Sequence, residues 1–381
     1  MSIQTRCQLP APFSLFTGIL LALLFISFLP GCTRFQTEPI GELSAEPLSE
    51  EQITGEQVAE EEAEEKTEEK TIEEADVEYI LASLDVPHTE PRFAVIPPNA
   101  RPGEPVTVGY SDNFAAVHRE FQAVLLDSRS RLLTRAIFFD LDTEDEIPII
   151  KVAIMAVPST ALVGSALIHI VSDEDIILEI PFTIDEREFL SETIALDQAN
   201  TNLRTLPDPR RTAESQQLWA IINRTGNEIF DTGPFEPPVT STRGTSSYGS
   251  RRIYRYVDGR TDTAIHAGVD YGVPTGTEVM ASASGRVVLA RNRILTGNSV
   301  ILEHLPGVYS LYYHLDSIAV SEGSIIEAGT FLGASGATGL ATGPHLHWEI
   351  RVSGENADPD AFLPRSILDK NEILTKMSIL Y

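Results

Sequence analysis

The chain has 381 residues and a formal charge of −28, from 28 Lys+Arg against 56 Asp+Glu. An acidic balance of this size gives no footing for a phosphate backbone, which argues against nucleic acid as a partner. The length allows two compact domains with flexible segments. Half of the excess charge sits in residues 42–78, where 16 acids face two lysines, Lys66 and Lys70, for a local charge of −14.

Residues 1–32 read as an export signal. Arg6 supplies the positive charge, and Phe13 to Leu29 is a mostly apolar run at the lower limit for spanning a bilayer. The run ends in Leu29-Pro30-Gly31-Cys32, which resembles the lipobox of bacterial lipoproteins. That resemblance implies cleavage before Cys32 and lipidation of Cys32, hence attachment to a membrane and a place in the cell envelope. The chain's only cysteines are Cys7 and Cys32. The exported body therefore has no pair for a disulfide, and its stability must come from apolar burial and, locally, from metal.

Residues 33–90 are rich in Glu and poor in apolar residues, and read as a solvated, self-repelling tether. Ile72 to Leu84 could form a short helix, which would be marginal in isolation. From residue 91 to 190 the texture is that of strands: Pro105–Tyr110, Phe121–Leu126, Leu132–Phe139, Ile149–Ala156, Ala166–Val171 and Ile176–Ile184. Their spacing and the turn residues between them predict an all-β sandwich, and the opening around Pro102-Gly103-Glu104-Pro105 resembles immunoglobulin-like spacer domains of exported bacterial proteins. His118 and His169 stand alone here and read as structural. Residues 191–232 form a linker with one helix, Arg210 to Thr225, capped by Asp208, entered through Pro209 and stopped by Gly226. Leu218, Ile221 and Ile222 give that helix an apolar stripe.

Residues 233–365 return to Gly-rich β texture, with candidate strands at Glu278–Ala283, Gly285–Arg291, Ser299–His304, Val308–His314, Thr330–Ala334 and His345–Val352. A mostly antiparallel sheet with long loops is expected, followed by a tail over 366–381. Imidazoles and a carboxylate cluster in this domain. His345 and His347 are two apart in a predicted strand and share a face, while Leu346 points to the core. His266 and Asp270 flank Gly268, which suggests a loop bent at the glycine that aims both side chains at one point. His314 ends a strand behind Tyr312 and Tyr313, and one alternate tyrosine should face the groove with it. Nitrogen and carboxylate donors suit Zn²⁺, and three protein ligands leave a position open for water. Spacing alone does not say which three of the five groups are ligands. His304 reads as scaffold, and Trp348 and Glu349 as residues that pack and pair.

His266-x-Gly-x-Asp270, His314 after two tyrosines, and His345-x-His347 behind Gly339-x-x-Thr342-Gly343-Pro344 together resemble the lysostaphin-type zinc endopeptidases of bacterial cell walls. Ser247-Tyr248-Gly249-Ser250-Arg251-Arg252 and Gly297-Asn298-Ser299-Val300 add to the match. The resemblance implies that His266, Asp270 and His347 hold Zn²⁺, that His314 and His345 are unliganded catalytic histidines, and that peptidoglycan peptides are the substrate. It also raises a rival class, since the family includes degenerate domains that bind the envelope and activate wall amidases. Those lack ligands, and here none is missing.

Overall fold

The computed structural model describes residues 92–111, 120–141, 150–172, 175–224 and 226–379. The segments expected as an export signal, with Cys32, and as an acidic tether lie outside them, as does His118. The described part is mostly strand, and no helix in it is long and apolar enough to cross a membrane.

The first domain contains β1 (Arg92–Ile96), β2 (Asn99–Ala100), β3 (Pro105–Ser111), β4 (Phe121–Asp127), β5 (Leu132–Ile137), β6 (Phe139–Asp140), β7 (Lys151–Ala156), β8 (Gly164–Ser172) and β9 (Asp175–Ile184). They form two sheets in the orders β1-β3-β7-β6 and β2-β9-β8-β4-β5. β1 pairs antiparallel with β3, whereas β2 runs parallel to β9, so the chain changes sheets at its start. This is the strand order of an immunoglobulin sandwich. Alternation fills it: β4 buries Phe121, Ala123 and Leu125 and leaves Gln122, Val124 and Leu126 half-buried. All six expected strands form, the third divided into β5 and β6 at Phe138.

The linker holds more structure than one helix. It comprises β10 (Ser191–Ala195), α1 (Gln198–Thr205) and α2 (Pro209–Ile222). Asp208 caps α2 by accepting the Arg210 N–H at 2.9 Å. The helix stops at Ile222, short of the expected Thr225, where the Asn223 side chain donates to the Trp219 carbonyl at 2.8 Å. Its apolar stripe does find a neighbour: Leu218, Ile221 and Ile222 pack on Leu289, Ile301, Tyr309 and Leu311.

The second domain contains β11 (Gly244–Ser246), β12 (Arg251–Arg255), β13 (Thr261–Ile265), β14 (Val269–Tyr271), β15 (Glu278–Met280), β16 (Gly285–Arg293), β17 (Gly297–Leu305), β18 (Val308–Ile318), β19 (Ile325–Ile326), β20 (Phe331–Ser335), β21 (Leu346–Val352) and β22 (Glu355–Ala357). The main sheet follows the path β11-β14-β21-β18-β17-β16-β19, antiparallel at every step. β10 joins β12 and β13 in a separate small sheet. The segment after residue 365, expected as a tail, carries helix α3 (Lys370–Ile379), which buries Ile373, Leu374 and Met377.

That helix explains why every residue of β3 is buried. Val106, Val108 and Tyr110 face the sandwich interior. The other face of the same sheet, with Ala94, Val152 and Ile154, shares a core with Trp348, Val352, Ile373 and Met377. Ser353 also donates across this joint to the Ile154 carbonyl at 2.7 Å.

His304 is fully buried, with Nδ1 2.7 Å from the Ser284 carbonyl and Nε2 2.7 Å from Ser310 Oγ. Burial pushes its pKa down to about 4 from 6.5, against the opposing pull of the Ser284 carbonyl. Between those values the unfolded chain binds the proton and the folded chain does not, so stability falls as pH drops from 6.5 toward 4, by at most ~1.4 kcal/mol per unit from this group. Urea midpoints across that range should fall for the natural chain. A His304→Gln variant, less stable at neutral pH, should lose less on acidification.

Candidate metal centre

β14, β21 and β18 lie side by side, and their register sets Asp270 opposite His347 and His347 opposite Tyr313. Alternation in β21 turns His347, Glu349 and Arg351 to one face, while Leu346, Trp348 and Ile350 enter the core. His345 sits just ahead of the strand, on an isolated bridge to Gly336. The two-residue period still holds, for its Nε2 lies 3.8 Å from Asp270 Oδ1.

His266 follows β13 at the bend into β14. Its Nε2 is 3.1 Å from Asp270 Oδ1 and 3.0 Å from His347 Nδ1, and His347 Nδ1 is 2.8 Å from Asp270 Oδ1. Gly268 is required here, though not for a left-handed turn. A Cβ at this position would meet the Trp348 carbonyl oxygen at 2.1 Å, so the glycine lets two backbones approach. Asp270 is accordingly presented by a strand, not by the loop expected from the sequence.

The three side chains are buried and offer donor atoms that all lie within 4.8 Å of one another. His266 Nδ1 lies 2.9 Å from the Ser247 carbonyl, which can only accept, so Nδ1 carries the proton and Nε2 presents a lone pair. His347 turns Nε2 to Glu349 Oε2 at 3.5 Å and Nδ1 to the cluster. Two imidazole nitrogens and a carboxylate oxygen thus converge on one point, a donor set that fits a divalent transition metal. Burial would depress His347, but the Asp270 and Glu349 carboxylates outweigh it and raise the imidazole to about 9. Burial lowers His266. Burial would raise Asp270, yet hydrogen bonds from both histidines hold it well below the usual carboxylate range.

His314 has a left-handed backbone, φ 62°. Strict alternation would place Tyr312 beside it on the groove face. Instead Tyr312 is a core residue whose hydroxyl accepts the Ser282 N–H at 2.9 Å, and Tyr313 stacks on His347 with ring centroids 5.5 Å apart. The left-handed residue turns two consecutive side chains toward the same site. The His314 N–H donates to the Thr296 carbonyl at 2.8 Å and Nδ1 to the Thr338 carbonyl at 2.7 Å, so Nε2 carries the lone pair. Its pKa is pushed down to about 3 by burial and by neighbouring His345 and His347. His345 is held likewise, through Nδ1 to the Gly343 carbonyl at 2.9 Å, and the two rings are 4.7 Å apart.

A groove of about 500 Å³ runs over Asp270 and His345, lined also by Arg252, Thr342 and Glu192. A larger pocket, about 700 Å³, borders Val269 and Tyr271 and holds none of the five residues. The sequence offered little sign of the residues behind the cluster. Arg252 Nη2 donates to Asp270 Oδ2, and Ser246 Oγ lies 3.1 Å from His266 Nδ1. Glu349 was legible as a pairing residue, and it pairs with Arg351.

Residues 264–359 match the sequence profile of peptidase family M23. The C-terminal domain belongs to that family. The M23 region is 36% identical over 135 residues to a DD-carboxypeptidase/endopeptidase, Mpg, of Neisseria meningitidis serogroup B, covering 35% of this chain and 30% of that one. It is 39% identical over 143 residues to the peptidoglycan DD-endopeptidase ShyA of Vibrio cholerae, covering 38% and 33%. The chain therefore spans about a third of the length of these relatives. Among solved structures, lysostaphin from Staphylococcus simulans aligns with 32% of the chain and 48% of its own at 31% identity, with a TM-score of 0.28.

The β14–β21 approach gives a direct test of the M23 site's construction. Gly268→Ala should separate the two strands, cost roughly 1–3 kcal/mol and weaken metal uptake, read by thermal melting and by metal analysis of the purified chain.

Proposed function

We propose that the chain is a zinc-dependent endopeptidase that hydrolyses peptide cross-links of bacterial peptidoglycan, working in the cell envelope from a lipid anchor at Cys32. The observation that carries this reading is the convergence of His266 Nε2, Asp270 Oδ1 and His347 Nδ1 beside a groove lined by Asp270 and His345, with the His314 ring 4.7 Å from that of His345. In a family whose relatives include peptidoglycan endopeptidases, that constellation favours a working site. Residues 33–90 would act as the tether and the sandwich as the part nearest to it.

His266, Asp270 and His347 would hold the ion. Bound Zn²⁺ supplies a nucleophilic water near neutral pH and polarises the scissile carbonyl. His314 and His345 each keep Nδ1 on a backbone carbonyl, so each has a bare Nε2 with which to take a proton. One accepts the proton of the attacking water and returns it to the leaving amine; the other, with a proton on Nε2, would donate to the carbonyl oxygen as charge develops there. The loops that anchor them, Thr296 and Thr338 for His314 and Gly343 for His345, fix both rings before substrate arrives.

Digestion of purified peptidoglycan, with mass spectrometry of the fragments, tests the reading and identifies the bond cut. A chelator or His347→Ala should abolish fragment release and bound zinc together; release that survived both would exclude the assignment. His314→Ala and His345→Ala separate the roles. Each should retain stoichiometric zinc and lose on the order of 10²–10⁴ in kcat.

A further inference from the structure

Strand β10 lies outside the M23 match and outside the main sheet, yet it reaches the metal cluster. It adds to β12 in parallel, with Glu192 in register with Arg252. Arg252 Nε donates to Glu192 Oε1 at 2.7 Å, and Ser246 Oγ donates to the same oxygen at 2.6 Å. Arg252 Nη2 also donates to Ser246 Oγ at 2.9 Å, which closes the ring of contacts. Each partner then touches a residue of the cluster on the side away from its centre. Arg252 takes Asp270 Oδ2, leaving Oδ1 for His266 and His347. Ser246 lies at His266 Nδ1, leaving Nε2 inward.

The division of Arg252 between two carboxylates matters. A guanidinium facing a single carboxylate favours a bidentate fork that occupies both oxygens. If Glu192 did not hold the Nε edge, Arg252 could close on Asp270 as such a fork and draw Oδ1 out of the cluster. Glu192 is half-exposed, whereas Arg252 is largely enclosed between the strand and the site. The small sheet is thereby a bracket around one ligand's outer oxygen.

We infer that Glu192 is a positioning residue of the metal centre, acting through Arg252 and Ser246 to keep Asp270 Oδ1 and His266 Nε2 turned to the ion. This rests on the metal reading above and extends it. The unit that builds the site begins at β10 and not at the start of the second domain near residue 233. Glu192 and Ile194 also line the groove, so the same strand forms part of the surface that substrate meets.

The test is the zinc affinity of the chain, measured by competition with a chromophoric chelator, so that no turnover is needed. Outer partners of metal ligands are typically worth about 10–100-fold in affinity. Glu192→Ala should weaken zinc by that factor, and Glu192→Gln, which keeps an acceptor but not the charge, by about tenfold or less. Adding Glu192→Ala to Arg252→Ala should cost less than it does alone, because Arg252 holds Asp270 directly and also holds Ser246, so most of the effect runs through it. Melting curves of the metal-free variants report whether they fold. Zinc affinity indistinguishable from the natural chain in a folded Glu192→Ala variant would overturn the inference, as would full additivity with Arg252→Ala. A natural chain that took up no zinc would instead sink the metal reading itself.

Discussion

The backbone pairing of β14 with β21 is the constraint on which the site depends. It sets Asp270 against His347, residues far apart in the chain, with no turn or local motif to bring them together. A one-residue slip in either strand would exchange residues of the cluster for core residues: His347 for Leu346 or Trp348, Asp270 for Val269 or Tyr271. The apolar face therefore guards the polar one. Trp348, Leu346 and Ile350 are fully buried, and the cost of exposing them keeps the register from which the cluster follows. Gly268 removes the single side chain that would hold the strands apart.

The histidines of the cluster are fixed by their other nitrogens. Backbone carbonyls of Ser247, Thr338 and Gly343 hold one edge of His266, His314 and His345, and Glu349 faces the outer edge of His347. The tautomers that aim lone pairs inward are thus written into loops and strand ends, before any ion or substrate is bound. Glu349 is itself held below its usual range, to about 2, because Arg351 and His347 overcome the burial that would raise it. A buried carboxylate that stays charged can support an imidazole from behind.

What the sequence could reveal followed period and punctuation. Alternation made the β strands and the shared face of His345 and His347 legible, and Asp208-Pro209 marked the start of α2. Most of the misses share a cause, a contact distant in sequence. Ser191–Ala195 has no apolar alternation of its own and is a strand because Arg251–Arg255 offers it an edge. The C-terminal helix has mixed composition and is settled by Ile373 and Met377 finding the back of the sandwich. The exchange of Tyr312 for Tyr313 beside the cluster came from one left-handed residue, His314, at a position where sequence gave no glycine or asparagine to signal it. Gly268 was noticed for the right chain position and the wrong physical reason, since backbone proximity leaves no local trace.

The sheet buried on both faces carries a further consequence. An immunoglobulin-like module strung ahead of an enzyme is ordinarily a bead on a string, free to swivel. Here β3 and β7 are the floor of two cores at once, and α3 closes the seam from the far end of the chain. The sandwich and the groove have a constant mutual orientation as a result. Producing either domain without the other would bare an apolar face where this protein has one continuous interior.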